Sequence, residues 1–187
     1  MTYLLDVNVL IALIDPVHVG HNAAHAWFLG TGAESWATCP ITENGLLRIV
    51  GNPRYPNSVG SPAACAPILA GLVGLPGHVF WADAISLGDH GLVDARLITT
   101  PGQVTDSYLL ALAVSNGGKL ATLDRRLSTR AVRGGRAGLC LIDGAFNDPA
   151  PGQDNKSLGL VGSLDDFNGD APRHPPPANP ARNTTPC

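Results

Sequence analysis

Four acids, Asp6, Glu43, Asp106 and Asp124, are the side chains around which a reaction can be assembled in this sequence. Asp6 closes the short apolar run Tyr3-Leu4-Leu5 and is followed at once by Val7-Asn8-Val9-Leu10-Ile11. Asp124 follows a second apolar run, Lys119-Leu120-Ala121-Thr122-Leu123. Glu43 and Asp106 fall in the first turns of two anticipated helices. If the two strands are parallel, their ends share one edge of a sheet, the edge where α/β proteins bind ligands. Helices entered from that edge present their first turns there too. Carboxylates brought close together raise one another's pKa, and a divalent cation removes that conflict. An all-oxygen donor set favours Mg²⁺ or Mn²⁺, and such an ion suits phosphodiester hydrolysis by activating water and steadying the departing oxygen. Asp6, Asp106 and Asp124 are the expected metal ligands, with Glu43 as the fourth catalytic acid. Singly, each acid has a plainer reading as a cap, a first-turn acid, a solvated face residue or a turn former. Their joint placement at element ends is the argument for a site.

Neighbouring polar residues fit the same scheme. Asn8 is placed to orient Asp6 or hold a metal-bound water, Thr105 and Ser107 to position a carboxylate or a phosphate, and Thr122 to bond across the site. Thr105 also reads as the N-cap of its helix. Six of the twelve Lys and Arg residues fall between Lys119 and Arg136. Of these, Arg125, Arg126 and Arg130 begin beside Asp124 and form a candidate grip on an RNA backbone. His21 and His25 have i, i+4 spacing, but Asn22 stands where a zinc motif of the H-E-x-x-H type needs Glu. A surface or partner-contacting helix face is the better expectation for them.

The elements that must carry these residues follow from pattern. Short apolar runs at 2–5, 35–38, 79–81, 119–123 and 139–142 read as strands. Helical spacing appears at 7–14, 21–29, 41–50, 63–74 and 104–114, the last with Thr105 opening it and Asn116-Gly117-Gly118 closing it. Residues 51–62, rich in Gly, Pro and Asn, read as a loop. Residues 83–98 suit a short helix and a turn, with Leu92, Val93 and Leu97 reaching inward. Alternation of strand and helix argues for a mainly parallel sheet flanked by helices, an α/β fold.

The chain has 187 residues and a formal charge of −3, so no global positive field draws in nucleic acid. Its four cysteines form no C-x-x-C pair and suit buried thiols in a reducing compartment. The N-terminus lacks a basic leader, and no apolar run approaches the roughly 20 residues needed to span a bilayer. A cytoplasmic protein is expected. Residues 1–144 read as one domain. Residues 145–187 hold eight of the sixteen prolines and few large apolar side chains. Such a segment cannot offset its ordering entropy and reads as a disordered extension.

Five segments in this order resemble the PIN-domain ribonucleases, specifically the VapC toxins of bacterial toxin–antitoxin pairs. They are Leu5-Asp6-Val7-Asn8-Val9-Leu10; His21 to Trp27; Thr42-Glu43; Val104 to Ala113; and Ala121 to Leu127. The resemblance covers residues 2–143. It implies a PIN-like fold and Mg²⁺- or Mn²⁺-dependent endonucleolytic cleavage of RNA, with Asp6, Glu43, Asp106 and Asp124 as the acidic quartet. It also implies a homodimer and a cognate VapB-type antitoxin that occupies the active-site groove. Two competing readings remain: a PIN-like module that binds RNA or a partner without cutting it, and a dehalogenase-like phosphatase. The phosphatase wants a second Asp two residues after the first, where this chain has Asn8.

Overall fold

The computed structural model describes residues 1–143; the tail read from 145 onward lies outside them. Five strands form one sheet: β1 (Tyr3–Leu5), β2 (Trp36–Thr38), β3 (His78–Phe80), β4 (Lys119–Thr122) and β5 (Leu139–Leu141). Their spatial order is β3-β2-β1-β4-β5, and every pairing is parallel. β1 and β4 are direct neighbours, with Leu5 opposite Ala121. Asp6 and the end of β4 therefore emerge side by side.

Side chains alternate across the sheet, as the pleat requires. Leu5, Trp36 and Ala121 face a core shared with α1 (Val7–Ile14), α2 (His21–Gly30), α3 (Pro40–Val50) and α4 (Pro62–Val73). Leu4, Ala37 and Leu120 face the other layer, packed by α5 (Gly102–Ser115). The short α6 (Gly135–Gly138) leads into β5. The central strands are buried on both faces, the signature of a parallel sheet under two helical layers. This is a PIN-like α/β fold. Among the described residues no helix is long and apolar enough to cross a membrane.

Two expectations are corrected. Leu97 is 38% exposed, whereas Val93 is fully buried, because residues 95–97 form a 3₁₀ turn outside the core. α5 begins at Gly102 rather than near Thr105. Gln103 Oε1 accepts from the Thr99 backbone N–H at 2.9 Å, which secures an earlier start. Thr105 is therefore inside the helix and is not its N-cap, and Asp106 lies beyond the first turn.

The histidine pair has a structural task. α1 ends at Ile14 and leaves carbonyls without helical partners. His21 Nδ1 donates to Ala12 O at 2.8 Å, and His25 Nε2 donates to Leu13 O at 2.9 Å. The rings lie 4.3 Å apart, tilted by 49°. The expected surface role thus becomes a clamp between α1 and α2. Burial, together with the charge of His21, holds His25 below its ordinary pKa despite the Leu13 bond. The folded state then resists protonation that the unfolded chain accepts. This contribution to stability is complete above pH 6.5, the ordinary histidine value, and is lost as pH falls below it. His78, also held low by burial, acts in the same direction. Thermal melts of the wild type at pH 7.5 and 5.5 should show a lower midpoint at the acid pH, and His25→Gln should narrow the gap.

Candidate active site

Asp6 ends β1 and precedes α1, so its backbone is held on one side by the sheet and on the other by a helix. Its backbone N–H donates to Ala121 O at 3.0 Å, continuing the β1–β4 ladder. Its side chain is fixed just as closely. Thr122 Oγ1 donates to Asp6 Oδ2 at 2.7 Å, and Asn8 Nδ2 donates to the same oxygen at 2.8 Å. Asn8 Nδ2 also donates to Thr122 Oγ1 at 3.0 Å, and Asn8 Oδ1 accepts from the Leu123 N–H at 3.1 Å. Thr122 Oγ1 accepts once more, from the Asp124 N–H at 3.1 Å. One amide and one hydroxyl therefore bind the end of β1, the start of α1 and the turn after β4 into a single unit. Asn8 spends both ends of its amide on this task, and a carboxamide has no acidic proton with which to act as the general acid of a phosphatase.

Three acids converge electrostatically on this unit. Burial raises the Asp6 carboxyl above the usual carboxylate range, and the charge of Asp124 adds to the effect. The bonds from Thr122, the Val7 backbone and Asn8 oppose both. Asp106 is raised by burial, then by the charges of Asp6 and Asp124. Asp106 lies past the first turn of α5, beyond the reach of the helix N-terminus. Asp124 accepts the Arg126 backbone N–H at 2.8 Å and lies 3.8 Å from the Arg126 guanidinium.

Glu43 is held differently. Thr38 Oγ1 donates to Glu43 Oε1 at 2.6 Å and lies 2.8 Å from His78 Nε2. Thr38 has one proton and gives it to Glu43, so His78 Nε2 is the donor in the second bond. Glu43 thus sits in a hydrogen-bonded chain that joins the end of β2 to the start of β3. Several α3 residues, among them Asn44, Gly45 and Arg48, line an open groove of about 460 Å³ together with Asp6 and Thr105. Position within a helix was legible from the sequence, but rotation about its axis was not.

The remaining expected residues separate. Thr105 lines the Asp6 groove. Ser107 is 2% exposed, so its hydroxyl faces the interior and not a phosphate in solution. Lys119 opens β4 and so lies at the opposite end of that strand from Asp124. Arg136 is on α6, before β5. The run of basic residues is therefore not one patch beside the acids. Arg125 pairs with Asp143 at 3.3 Å, both exposed. Arg130 borders a separate cleft with Arg133, Arg96 and His90. Exposed pairs of this kind contribute little to stability.

As they stand, no three His, Cys, Asp or Glu side chains among the described residues are grouped to hold one ion together. Mg²⁺ does not demand such a cage, because it keeps several waters and takes one or two carboxylates. The raised carboxyls of Asp6 and Asp106 and the oxygen-only donors fit a hard cation of this type.

No family model matches the chain. Curated relatives do. Ribonuclease VapC44 of Mycobacterium tuberculosis is 43% identical over 134 residues, which cover 72% of this chain and 94% of the relative. Ribonuclease VapC39 of the same organism is 43% identical over 134 residues, covering 72% and 96%. Ribonuclease VapC38 is 41% identical over 129 residues, covering 68% and 89%. The aligned lengths are close to the number of described residues, and identity of this order with several relatives accompanies the PIN-like sheet and its acidic edge. The chain belongs to the VapC family of PIN-domain ribonucleases.

Proposed function

We propose that this protein is a metal-dependent endoribonuclease, the toxin of a toxin–antitoxin pair, and that Asp6, Asp106 and Asp124 form its metal centre. The observation that carries the reading is the coupling of these three acids at the β1–β4 edge, with Asp6 locked by Asn8 and Thr122. When bound, Mg²⁺ or Mn²⁺ supplies Lewis acidity to a phosphate and lowers the pKa of a coordinated water. The chain's own residues do the rest. Asn8 and Thr122 both bond Oδ2 of Asp6, which fixes the carboxylate plane and leaves Oδ1 free of side-chain donors among the described residues. Asp106 and Asp124 keep the local potential negative enough to hold a cation. The Arg126 guanidinium near Asp124 offers a phosphate contact that can exchange partners when RNA arrives. Glu43 acts at the margin through Thr38 and His78, as a positioning residue rather than a ligand.

The further roles in the proposal follow the family. A VapB-type antitoxin is the partner, and an acidic groove of this kind suits a basic side chain from it. A second copy of the chain, a cytoplasmic setting and a nuclease domain of residues 1–144 with an appended tail of 145–187 complete the reading. The test is cleavage of a structured RNA by the purified chain with and without a chelator. Chelation should abolish cleavage. Asp106→Asn should reduce it by about 10²- to 10³-fold, the scale of losing one charge-stabilising group, whereas Glu43→Gln should retain most of it. Undiminished cleavage under chelation, or by Asp106→Asn, would overturn the proposal.

A further inference from the structure

The groove beside Asp6 has a wall that the acidic centre does not explain. α3 lies flat against the start of α1 because Gly45 has no side chain: a Cβ there would come within 2.6 Å of Val7 Cγ2. That close approach turns positions 41, 44, 45 and 48 toward Asp6, the i, i+3, i+4, i+7 face of the helix. Glu43, which is not on this face, accepts the bond from Thr38. Two polar side chains one turn apart, Asn44 and Arg48, are left exposed on the groove's rim. Arg48 is the cation among the groove's lining residues. Arg96, Arg125 and Arg126 are each paired with an acid, at 2.8, 3.3 and 3.8 Å, but no ion pair engages Arg48 among the described residues.

We infer that Arg48 and Asn44 form a substrate subsite that grips the RNA strand next to the scissile bond. The inference rests on the proposed metal-dependent cleavage at Asp6. A strand whose scissile phosphate lies at the acids must continue along the groove, and its next phosphate meets a wall that carries one unneutralised guanidinium. Arg presents a planar fork of donors matched to two phosphate oxygens. Asn44, one turn away, offers two N–H donors and a carbonyl acceptor, which suits a ribose 2′-hydroxyl, the group that distinguishes RNA from DNA. Arg48 acts on binding along the strand and not on the reacting atoms.

The experiment compares wild type, Arg48→Ala and Arg48→Lys in steady-state RNA cleavage at several salt concentrations, with Mn²⁺ affinity measured on the same preparations. Arg48→Ala should raise KM by about 10- to 100-fold, the scale of one hydrogen-bonded charge contact, with a much smaller change in kcat. The slope of log affinity against log salt should flatten by about 0.7, one phosphate contact on a single strand. Arg48→Lys should recover part of the affinity, and Mn²⁺ binding should be unchanged in both variants. Wild-type KM and salt slope in Arg48→Ala, or a loss confined to kcat, overturns the subsite. Failure of the wild type itself to bind Mn²⁺ defeats the metal-centre reading instead, so the two failures are told apart.

Discussion

Asp6→Asn should lose RNA cleavage by about two to three orders of magnitude and yet be the more stable protein when no metal is present. The carboxyl of Asp6 is raised by burial and by Asp124, against the bonds from Thr122, Val7 and Asn8. An acid whose folded pKa exceeds its unfolded value favours the fold while both states are protonated. That contribution is lost as pH rises from the unfolded value, 3.8, through the higher folded one. Ionising Asp6 in the native state therefore comes at a cost. Asparagine removes the charge, and its carbonyl still accepts from Thr122 Oγ1 and Asn8 Nδ2. A gain of about 1 kcal/mol is expected, typical of relaxing a functional site. Denaturant melts in chelator, read beside cleavage assays, check both halves. Equal or lower stability of Asp6→Asn would show that the Asp6 hydrogen bonds outweigh its burial.

Asn8→Ala is the second large effect. Asn8 makes bonds to Asp6, Thr122 and the Leu123 backbone. Removing it strips Asp6 of one of two orienting donors and leaves the Leu123 N–H without its acceptor. Loss of a group that orients a metal ligand costs about 10- to 100-fold in affinity or activity. The orphaned N–H adds about 1–3 kcal/mol of destabilisation. Because the ligand itself survives, raising Mn²⁺ or Mg²⁺ should restore part of the activity of Asn8→Ala. No such rescue is expected for Asp6→Asn. Titration of the metal at fixed RNA separates the two variants.

These effects were legible in the sequence to unequal degrees. Strand ends were readable, since Asp6 and Asp124 each follow an apolar run bounded by polar residues, and alternation of strands with helices implied the parallel sheet. The pairing of β1 with β4 brought Thr122 onto Asp6 at 2.7 Å, as the carboxyl-edge argument requires. Helix starts were less readable. Thr105 is a good N-cap residue, but Gln103 binding back to Thr99 began α5 sooner, and Asp106 fell past the first turn. Helix rotation was not readable at all. Gly45 packs on Val7, and Asn44 and Arg48 beside it line the groove next to Asp6. The signal was present in the glycine itself, on the face that packs against its neighbour, but it acquires meaning only once the partner helix is known. The basic run misled for a related reason. Neighbours in sequence from Lys119 to Arg136 span β4, the turn after it and α6, and so occupy different ends of the sheet. His21 and His25 were readable as neighbours on one helix face, but their acceptors, the last carbonyls of α1, are a tertiary feature.

The central claim is that Asp6, Asp106 and Asp124 act together on one cation-dependent centre. Titration of Mn²⁺ into the metal-free protein, followed by the loss of its free-ion paramagnetic resonance signal, tests it without reference to any RNA. Saturable binding by the wild type, weakened at least about tenfold in Asp6→Asn and Asp106→Asn and to a smaller extent in Asp124→Asn, is the predicted result, since one ligand's orienting group alone accounts for about that much. Glu43→Gln should bind as the wild type does. Unchanged affinity in all three aspartate variants, or a loss seen in Glu43→Gln alone, would contradict it.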